Sequence, residues 1–150
     1  MKKTKHLSAS LEDYLETIYH IISEKQVARA KEIAGKLKVS RSSVTEAFRS
    51  LAQKGLINYA PYEVITMTPE GKKAAEDVIR RHQALKVFFI KVLAVDEKTA
   101  EGGACRIEHA APREIIDRLT QFVNFLEECP HEGGNLIKSF KDYCSSGIIT

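Results

Sequence analysis

Hydrophobic residues along this chain recur mostly at the three- and four-residue spacing of amphipathic helices. The first such helix is predicted from an N-cap at Ser10 to about Lys25. Its apolar stripe consists of Leu11, Tyr14, Leu15, Ile18 and Ile22. At 100° per residue, Asp13, Glu16 and His20 fall on the opposite side. Taken alone, these polar residues are typical of a solvated helix surface.

Two shorter helices with a tight joint are predicted between residues 28 and 57. The first spans residues 30–37, and the second spans about 42–53 and ends before Gly55. In the second helix, Val44, Phe48 and Leu51 face inward. Its outer face carries short hydroxyl and charged side chains, which are Arg41, Ser42, Ser43, Thr45, Glu46 and Arg49. These side chains suit contacts with phosphates and bases in a major groove, although a helix-turn-helix also occurs as a purely structural corner.

Two β-prone runs follow this helix directly, at residues 56–59 and 64–68, around a turn that contains Pro61. A hairpin in this position is typical of the winged form of the helix-turn-helix, which strengthens the DNA-binding interpretation. Glu63 is the only charged residue of the turn, so the wing is not expected to be strongly basic.

The rest of the chain is predicted to be helical. Thr68 caps a long helix that begins at Pro69 and continues to about Leu93. Further helices are predicted after Asp96, from Pro112 and over residues 136–143. The end of the long helix is apolar over more than one stripe, with Leu85, Phe88, Phe89 and Val92. Together with the apolar residues of 115–126, this surface predicts a two-fold homodimer.

Candidate chemistry is concentrated near residue 105. If the segment is helical, Glu101, Cys105, Glu108 and His109 fall within an arc of roughly 100°. A thiol, two carboxylates and an imidazole form a ligand set for a transition metal. A solvated polar face with one incidental cysteine accounts equally well for this segment alone.

The composition is that of an ordinary globular protein, with 43% hydrophobic and 29% charged residues. The net charge of +3 is too small to indicate a nucleic-acid partner by itself. An odd number of cysteines and the lack of a signal-peptide apolar core favour a reducing compartment. No apolar run approaches the roughly 20 residues that span a bilayer. We therefore expect a cytoplasmic protein without a membrane partner.

Five motifs together carry a family resemblance: residues 11–19, 42–45, 67–71, 80–82 and 104–109. Over roughly residues 8–128, the chain resembles the iron- and manganese-dependent repressors, which include the diphtheria toxin repressor and the manganese transport regulator. The resemblance implies a mainly α fold. It comprises a winged helix-turn-helix DNA-binding domain (residues 1–70) and an all-helical metal-binding and dimerisation domain (residues 71–150).

The resemblance also implies a divalent metal bound between these domains. The matching ligands are Asp13, Glu16, His82, Cys105, Glu108 and His109, with Glu101 as a further candidate. Asp13 matches the manganese branch and Cys105 matches the iron branch, so Fe(II) and Mn(II) both remain open. Lys86 stands where the iron branch has a second-site glutamate, which argues against a second site of that kind, although Glu101 could substitute in part.

The expected function is that of a transcriptional repressor that binds operator DNA as a homodimer when loaded with Fe(II) or Mn(II). No small organic substrate is expected. The alternatives are a metalloenzyme that uses the 105–109 cluster and a winged-helix module for protein interactions. The sequence offers no HExxH motif, nucleophile elbow or glycine-rich phosphate loop, so an enzyme is not expected. Separately, Cys129, His131 and Cys144 could provide three ligands for Zn(II), or they are unlinked thiols and a histidine.

Overall fold

The computed structural model describes residues 7–62, 64–129 and 133–147, and these residues are mainly α-helical. The elements in chain order are α1 (Ala9–Lys25), α2 (Ala30–Leu37), α3 (Arg41–Gln53), β1 (Ile57–Asn58), β2 (Thr66–Met67), α4 (Pro69–Lys91), α5 (Glu97–Ile107), α6 (Arg113–Glu128) and α7 (Gly133–Ser146). The predicted fold class, a winged helix-turn-helix with a helical domain, is confirmed.

Two compact units make up the chain, and the division between them falls inside α4, between Ile79 and Arg80. This point is later than the domain boundary predicted after residue 70. The extent of each independently folding domain stays a prediction.

The first helix begins earlier than predicted. The cap is Ser8, whose hydroxyl accepts a hydrogen bond from the Leu11 backbone N–H at 3.2 Å, and Ser10 lies inside the helix. Ile21 is fully buried, whereas the predicted core residue Ile22 is only half-buried. The buried face of α1 is therefore wider than the predicted stripe.

Helices α1, α2 and α3 pack into the core of the first unit. Its fully buried side chains include Leu15, Ile18, Ile33, Val44, Phe48 and Leu51. The inward face predicted for α3 is thereby confirmed. Ser40 caps α3 by accepting from the Ser43 backbone N–H at 3.2 Å. Gly55 follows the helix with a φ of +73°, a left-handed conformation that favours glycine.

The hairpin is shorter than the predicted β-prone runs. Ile57 pairs with Met67 and Asn58 with Thr66 in an antiparallel register. Ile65 instead exchanges two backbone hydrogen bonds with Ala28, at 2.9 and 3.2 Å. The connection between α1 and α2 therefore pairs with the residue that immediately precedes β2. The predicted turn residue Glu63 lies outside the described residues.

The second unit has its own small core, in which Leu85, Ala104 and Ile116 are buried. Asp96 caps α5 by accepting from the Thr99 backbone N–H at 3.0 Å. The bonds from the Thr99 hydroxyl and backbone lower the pKa of Asp96. Helix α7 extends beyond the predicted residues 136–143 at both ends. In the part of the chain that the structure describes, no helix is both long and apolar enough to cross a membrane.

The first turn of α4 packs closely against the chain before β1. The Thr68 hydroxyl caps this helix by accepting from the Gly71 backbone N–H at 3.0 Å. A Cβ added at Gly71 would lie 1.8 Å from the Leu56 carbonyl oxygen. Only glycine fits this position without a backbone shift.

We expect Gly71→Ala to lower the free energy of unfolding by about 1–3 kcal/mol, because the new methyl group must displace the Leu56 carbonyl. Gly35→Ala is the matched control, since nothing lies within 4 Å of a Cβ at that helical position. This control should instead gain about 0.4–1 kcal/mol. The measurement is urea unfolding followed by circular dichroism. Equal stability of the two variants would contradict the close packing at Gly71.

Candidate metal centre and nucleic-acid interface

Helices α4 and α5 bring three candidate ligands together in the second unit. His82 lies on α4, and Glu101 and Cys105 lie one turn apart on α5. The His82 Nε2 is 3.0 Å from Glu101 Oε1, and the Cys105 Sγ is 3.8 Å from His82 Nδ1. Each residue offers one ligand atom, and the three atoms lie within 4.8 Å of one another. The sequence-predicted spacing within α5 and the position of His82 thus converge on one cluster.

Glu108 connects this cluster to His109. Its side chain is only 2% exposed, and its Oε2 lies 2.5 Å from His82 Nδ1. The other oxygen, Oε1, lies 3.4 Å from His109 Nε2. The predicted helix through residue 109 is slightly too long, because α5 ends at Ile107 and Glu108 is its C-cap. One buried carboxylate therefore lies between two imidazoles.

The donor chemistry of the cluster fits a divalent transition metal. Imidazole nitrogen, carboxylate oxygen and cysteine sulfur are all ligands of Fe(II), Mn(II) and related ions. A buried carboxylate needs polar partners, and a cation near His82 would provide favourable charge. The sequence-predicted group of His82, Glu101, Cys105, Glu108 and His109 is therefore compatible with metal binding in both geometry and chemistry.

Two basic residues beside the cluster were not part of the predicted ligand set. The Lys86 Nζ lies 3.0 Å from Glu101 Oε2 and 3.4 Å from Glu97 Oε1. Hydrogen bonds to Glu101 and then Glu97 raise the pKa of Lys86, and the bond from Lys86 lowers the pKa of Glu101. The Arg81 Nη1 donates to the Glu108 backbone carbonyl at 2.7 Å. The sequence does contain a signal for Lys86: it follows His82 by four residues, which places both side chains on the same face of the helix.

The remaining predicted ligands, Asp13 and Glu16, lie on α1 in the first unit. Asp13 is exposed, and Glu16 is half-buried with its Oε1 3.7 Å from His20 Nε2. Both lie outside the apolar core of the unit, as the helical pattern predicts. Their role as ligands stays a prediction.

The predicted zinc ligands of the C-terminal part are spread along the chain. Cys129 caps the end of α6, Cys144 lies near the end of α7, and both thiols are free. Their role as zinc ligands stays a prediction. His131 lies outside the described residues.

The outer face of α3 is accessible as predicted. Arg41, Ser42, Ser43, Glu46 and Arg49 are exposed, and Thr45 is half-buried. The Thr45 hydroxyl donates to the Arg41 backbone carbonyl at 3.0 Å. At the start of the helix, the Ser40 hydroxyl lies 3.0 Å from that of Ser42 and 2.8 Å from that of Ser43. The face therefore presents hydroxyls at the N-terminal end of the helix and two exposed arginines.

An apolar groove of about 440 Å³ opens on the second unit. Its apolar lining consists of Phe88, Ile115, Leu119 and Phe122. Glu114 and Arg118, one turn apart on α6, flank it with opposite charges. The groove belongs to the surface that the sequence predicts for dimerisation.

A winged helix-turn-helix and a His–Glu–Cys cluster in one chain define a metal-responsive transcriptional regulator. The comparisons with known proteins agree with this class. Residues 6–65 match the N-terminal DNA binding domain of the iron dependent repressors, and residues 68–136 match their metal binding and dimerisation domain. The chain belongs to the iron dependent repressor family.

Individual relatives include both archaeal and bacterial regulators. An uncharacterized HTH-type transcriptional regulator of Methanocaldococcus jannaschii is 40% identical over 118 residues, which cover 78% of this chain and 94% of the relative. The HTH-type transcriptional regulator MntR of Lysinibacillus sphaericus is 36% identical over 121 residues, or 81% of this chain and 86% of the relative. The structure of the manganese regulator SloR superimposes with a TM-score of 0.67 at 30% identity, over 81% of this chain and 56% of SloR.

Proposed function

We propose that this chain is a homodimeric repressor whose binding to operator DNA requires Fe(II) or Mn(II). The metal ligands would be Asp13, Glu16, His82, Cys105, Glu108 and His109, with Glu101 at the edge of the site. The observation that carries the proposal is the convergence of imidazole, carboxylate and thiol donors around His82. Membership of the iron dependent repressor family supports it independently.

Each ligand has a distinct part in this proposal. Glu108 is buried against His82 and holds its imidazole in place, so it is both a ligand and a support for a second ligand. Cys105 provides a soft donor, whereas Glu101, Asp13 and Glu16 provide hard oxygen donors. A bound metal would supply positive charge that stabilises these acidic groups. Without it, neighbouring carboxylates repel one another.

Metal would control DNA binding through linkage between the two binding events. Ligands from α1 and from the α4–α5 cluster belong to different units, so an ion bound by both would restrict the first unit, which carries α3. If that restriction favours the DNA-binding arrangement, metal affinity and DNA affinity are coupled, and each raises the other by the same factor. Couplings of this kind are typically about 5–150-fold.

The identity of the physiological metal follows from the mixed donor set only in part. Thiolate sulfur favours Fe(II), and the Asp13 carboxylate favours Mn(II). The relative named MntR and the manganese regulator SloR support manganese, whereas the family as a whole is described as iron dependent. The proposal therefore names both ions as candidates.

A regulator is favoured over the other two candidate functions by the exposed α3 face and the match to a DNA-binding domain. Gel-shift titrations with and without divalent metal separate the three. A repressor binds DNA more tightly with metal, whereas a metalloenzyme or a protein-interaction module shows no metal-dependent shift. Absence of DNA binding in both conditions would overturn the proposal.

The DNA-binding part of the proposal predicts that Arg49→Ala weakens operator binding. Arg49 is exposed on the outer face of α3, and loss of one base or phosphate contact should cost about 1–3 kcal/mol. Arg113→Ala, an exposed arginine of the second unit, is the control and should bind normally. The measurement is operator affinity over a range of salt concentrations. Unchanged affinity and salt slope for Arg49→Ala would show that another face reads the DNA.

The dimer part of the proposal predicts that Phe122→Asp produces a monomer. Phe122 lines the apolar groove, and a carboxylate there cannot be buried against a second copy without a large desolvation cost. Val39→Asp changes an exposed apolar residue of the first unit, away from this surface, so it should leave the dimer intact. Sedimentation velocity at micromolar concentration gives the assembly state. A wild-type monomer, or two variants that behave alike, would contradict this interface.

The metal-bridging part predicts that Asp13→Ala and Glu108→Gln behave alike, although the residues are on different units. Each should abolish metal-stimulated operator binding, because each removes a ligand of the same ion. Glutamine is chosen at 108 because it preserves the volume of a buried side chain. Glu24→Ala, an exposed carboxylate on α1, is the control. The measurement is operator affinity against free metal concentration, with circular dichroism to verify folding.

A normal metal response of Asp13→Ala beside a lost response of Glu108→Gln would show that α1 is not part of the site. Asp13→Met extends the test to metal preference. It replaces a hard carboxylate with a soft thioether, so the Mn(II) response should fall more than the Fe(II) response.

A further inference from the structure

Lys86 is held by two carboxylates at the edge of the candidate metal centre. Its side chain is 22% exposed, and its ammonium lies within hydrogen-bond distance of Glu97 and Glu101. By contrast, the side chain of Lys91 on the same helix is 51% exposed and pairs with Glu127, which is itself exposed. Exposed ion pairs such as that of Lys91 usually contribute little to the stability of the fold. The Lys86 pair differs because one of its partners also contacts a metal-ligand candidate.

The two oxygens of Glu101 have separate partners. Oε1 lies 3.0 Å from His82 Nε2, and Oε2 lies 3.0 Å from Lys86 Nζ. One carboxylate therefore joins an imidazole that can bind metal to an ammonium that cannot. A divalent ion that approached His82 from this side would have to share Glu101 with Lys86 or displace it.

We propose that Lys86 is a tethered cation that occupies the outer end of the cluster, defined by His82, Glu97 and Glu101, and keeps a divalent ion out of it. This inference rests on the proposed function, because it assumes that the cluster binds metal. Lys86 is thereby a positioning residue rather than a metal ligand. It sets how many ions the chain binds and how tightly the first one is held.

Two physical effects support this role. Hard divalent cations are generally bound by carboxylate oxygens. The Lys86 ammonium already occupies the position between two carboxylates where an incoming ion would find such donors. Its positive charge also repels a dication in the neighbouring part of the cluster. For a single and a double charge about 6 Å apart in a water-like dielectric, this repulsion corresponds to about a tenfold change in affinity.

The proposal predicts that substitutions of Lys86 change Mn(II) binding, whereas the same substitutions of Lys91 on α4 do not. Lys86→Glu should bind one more Mn(II) per chain than the wild type, because it replaces the ammonium with a third carboxylate beside His82. Lys86→Gln should bind the first Mn(II) about tenfold more tightly, because Glu101 is released and the repulsion is removed. Lys91→Glu and Lys91→Gln make the same charge changes on the same helix away from the cluster, and they should match the wild type.

Equilibrium dialysis with metal analysis measures the number of ions, and isothermal titration calorimetry measures affinity, both on the full-length protein without DNA. An extra ion in Lys86→Glu but not in Lys91→Glu supports the proposal. If Lys86→Glu does not fold, as judged by circular dichroism, Lys86→Gln decides alone: tighter binding than Lys91→Gln supports the proposal, and equal binding overturns it.

The outcomes also separate this inference from the proposed function. A wild type that binds Mn(II) and Lys86 variants that match their Lys91 counterparts would overturn the role of Lys86 alone. A wild type and Lys86 variants that all fail to bind any divalent ion would overturn the metal-dependent function together with this inference.

Discussion

The contact between Glu108 and His82 is the interaction on which the candidate metal centre depends. It places a carboxylate that is 2% exposed within 2.5 Å of an imidazole nitrogen on a different helix. A buried acidic group is costly unless it has polar partners, so α4 and the end of α5 must stay in register around this pair. The same contact orients the His82 ring, and the ring position determines where Glu101 and Cys105 can meet it. Helix packing and metal chemistry therefore depend on one short hydrogen-bonded pair.

Local chemistry explains which parts of the fold were predicted well. The caps at Thr68 and Asp96 and the glycine that follows α3 are decided by residues within three or four positions, so the sequence contains the whole signal. Helix α2 was predicted with its observed ends, and the inward and outward faces of α3 also agree with the structure. The convergence of His82 with Cys105 followed from a family resemblance, because spacing alone cannot bring residues of two helices together.

Contacts between residues that are distant in the sequence explain the features that were predicted wrongly or missed. The bridge between Ile65 and Ala28, a residue 37 positions earlier, was not predicted, because no local pattern indicates that partner. The start of α1 was misplaced because Ser8 and Ser10 are both good caps, and tertiary packing decides between them. Lys86 was noted as a departure from the resembled pattern, but its contacts with Glu97 and Glu101 depend on how α4 packs against α5. In each case the missing information was the position of a distant neighbour.

The hydroxyl cluster at the start of α3 has a thermodynamic consequence for DNA recognition. The hydroxyls of Ser40, Ser42 and Ser43 are joined by two hydrogen bonds in the free protein, at oxygen–oxygen distances of 2.8 and 3.0 Å, which engage two of the three O–H donors. A phosphate that accepted bonds from all three serines would replace these two hydrogen bonds and add only one. Such an exchange is nearly balanced in enthalpy, since the number of bonds changes little. The serines would accordingly fix the orientation of the helix on the duplex, while the net gain in affinity would come from the arginines and from the counterions that they release.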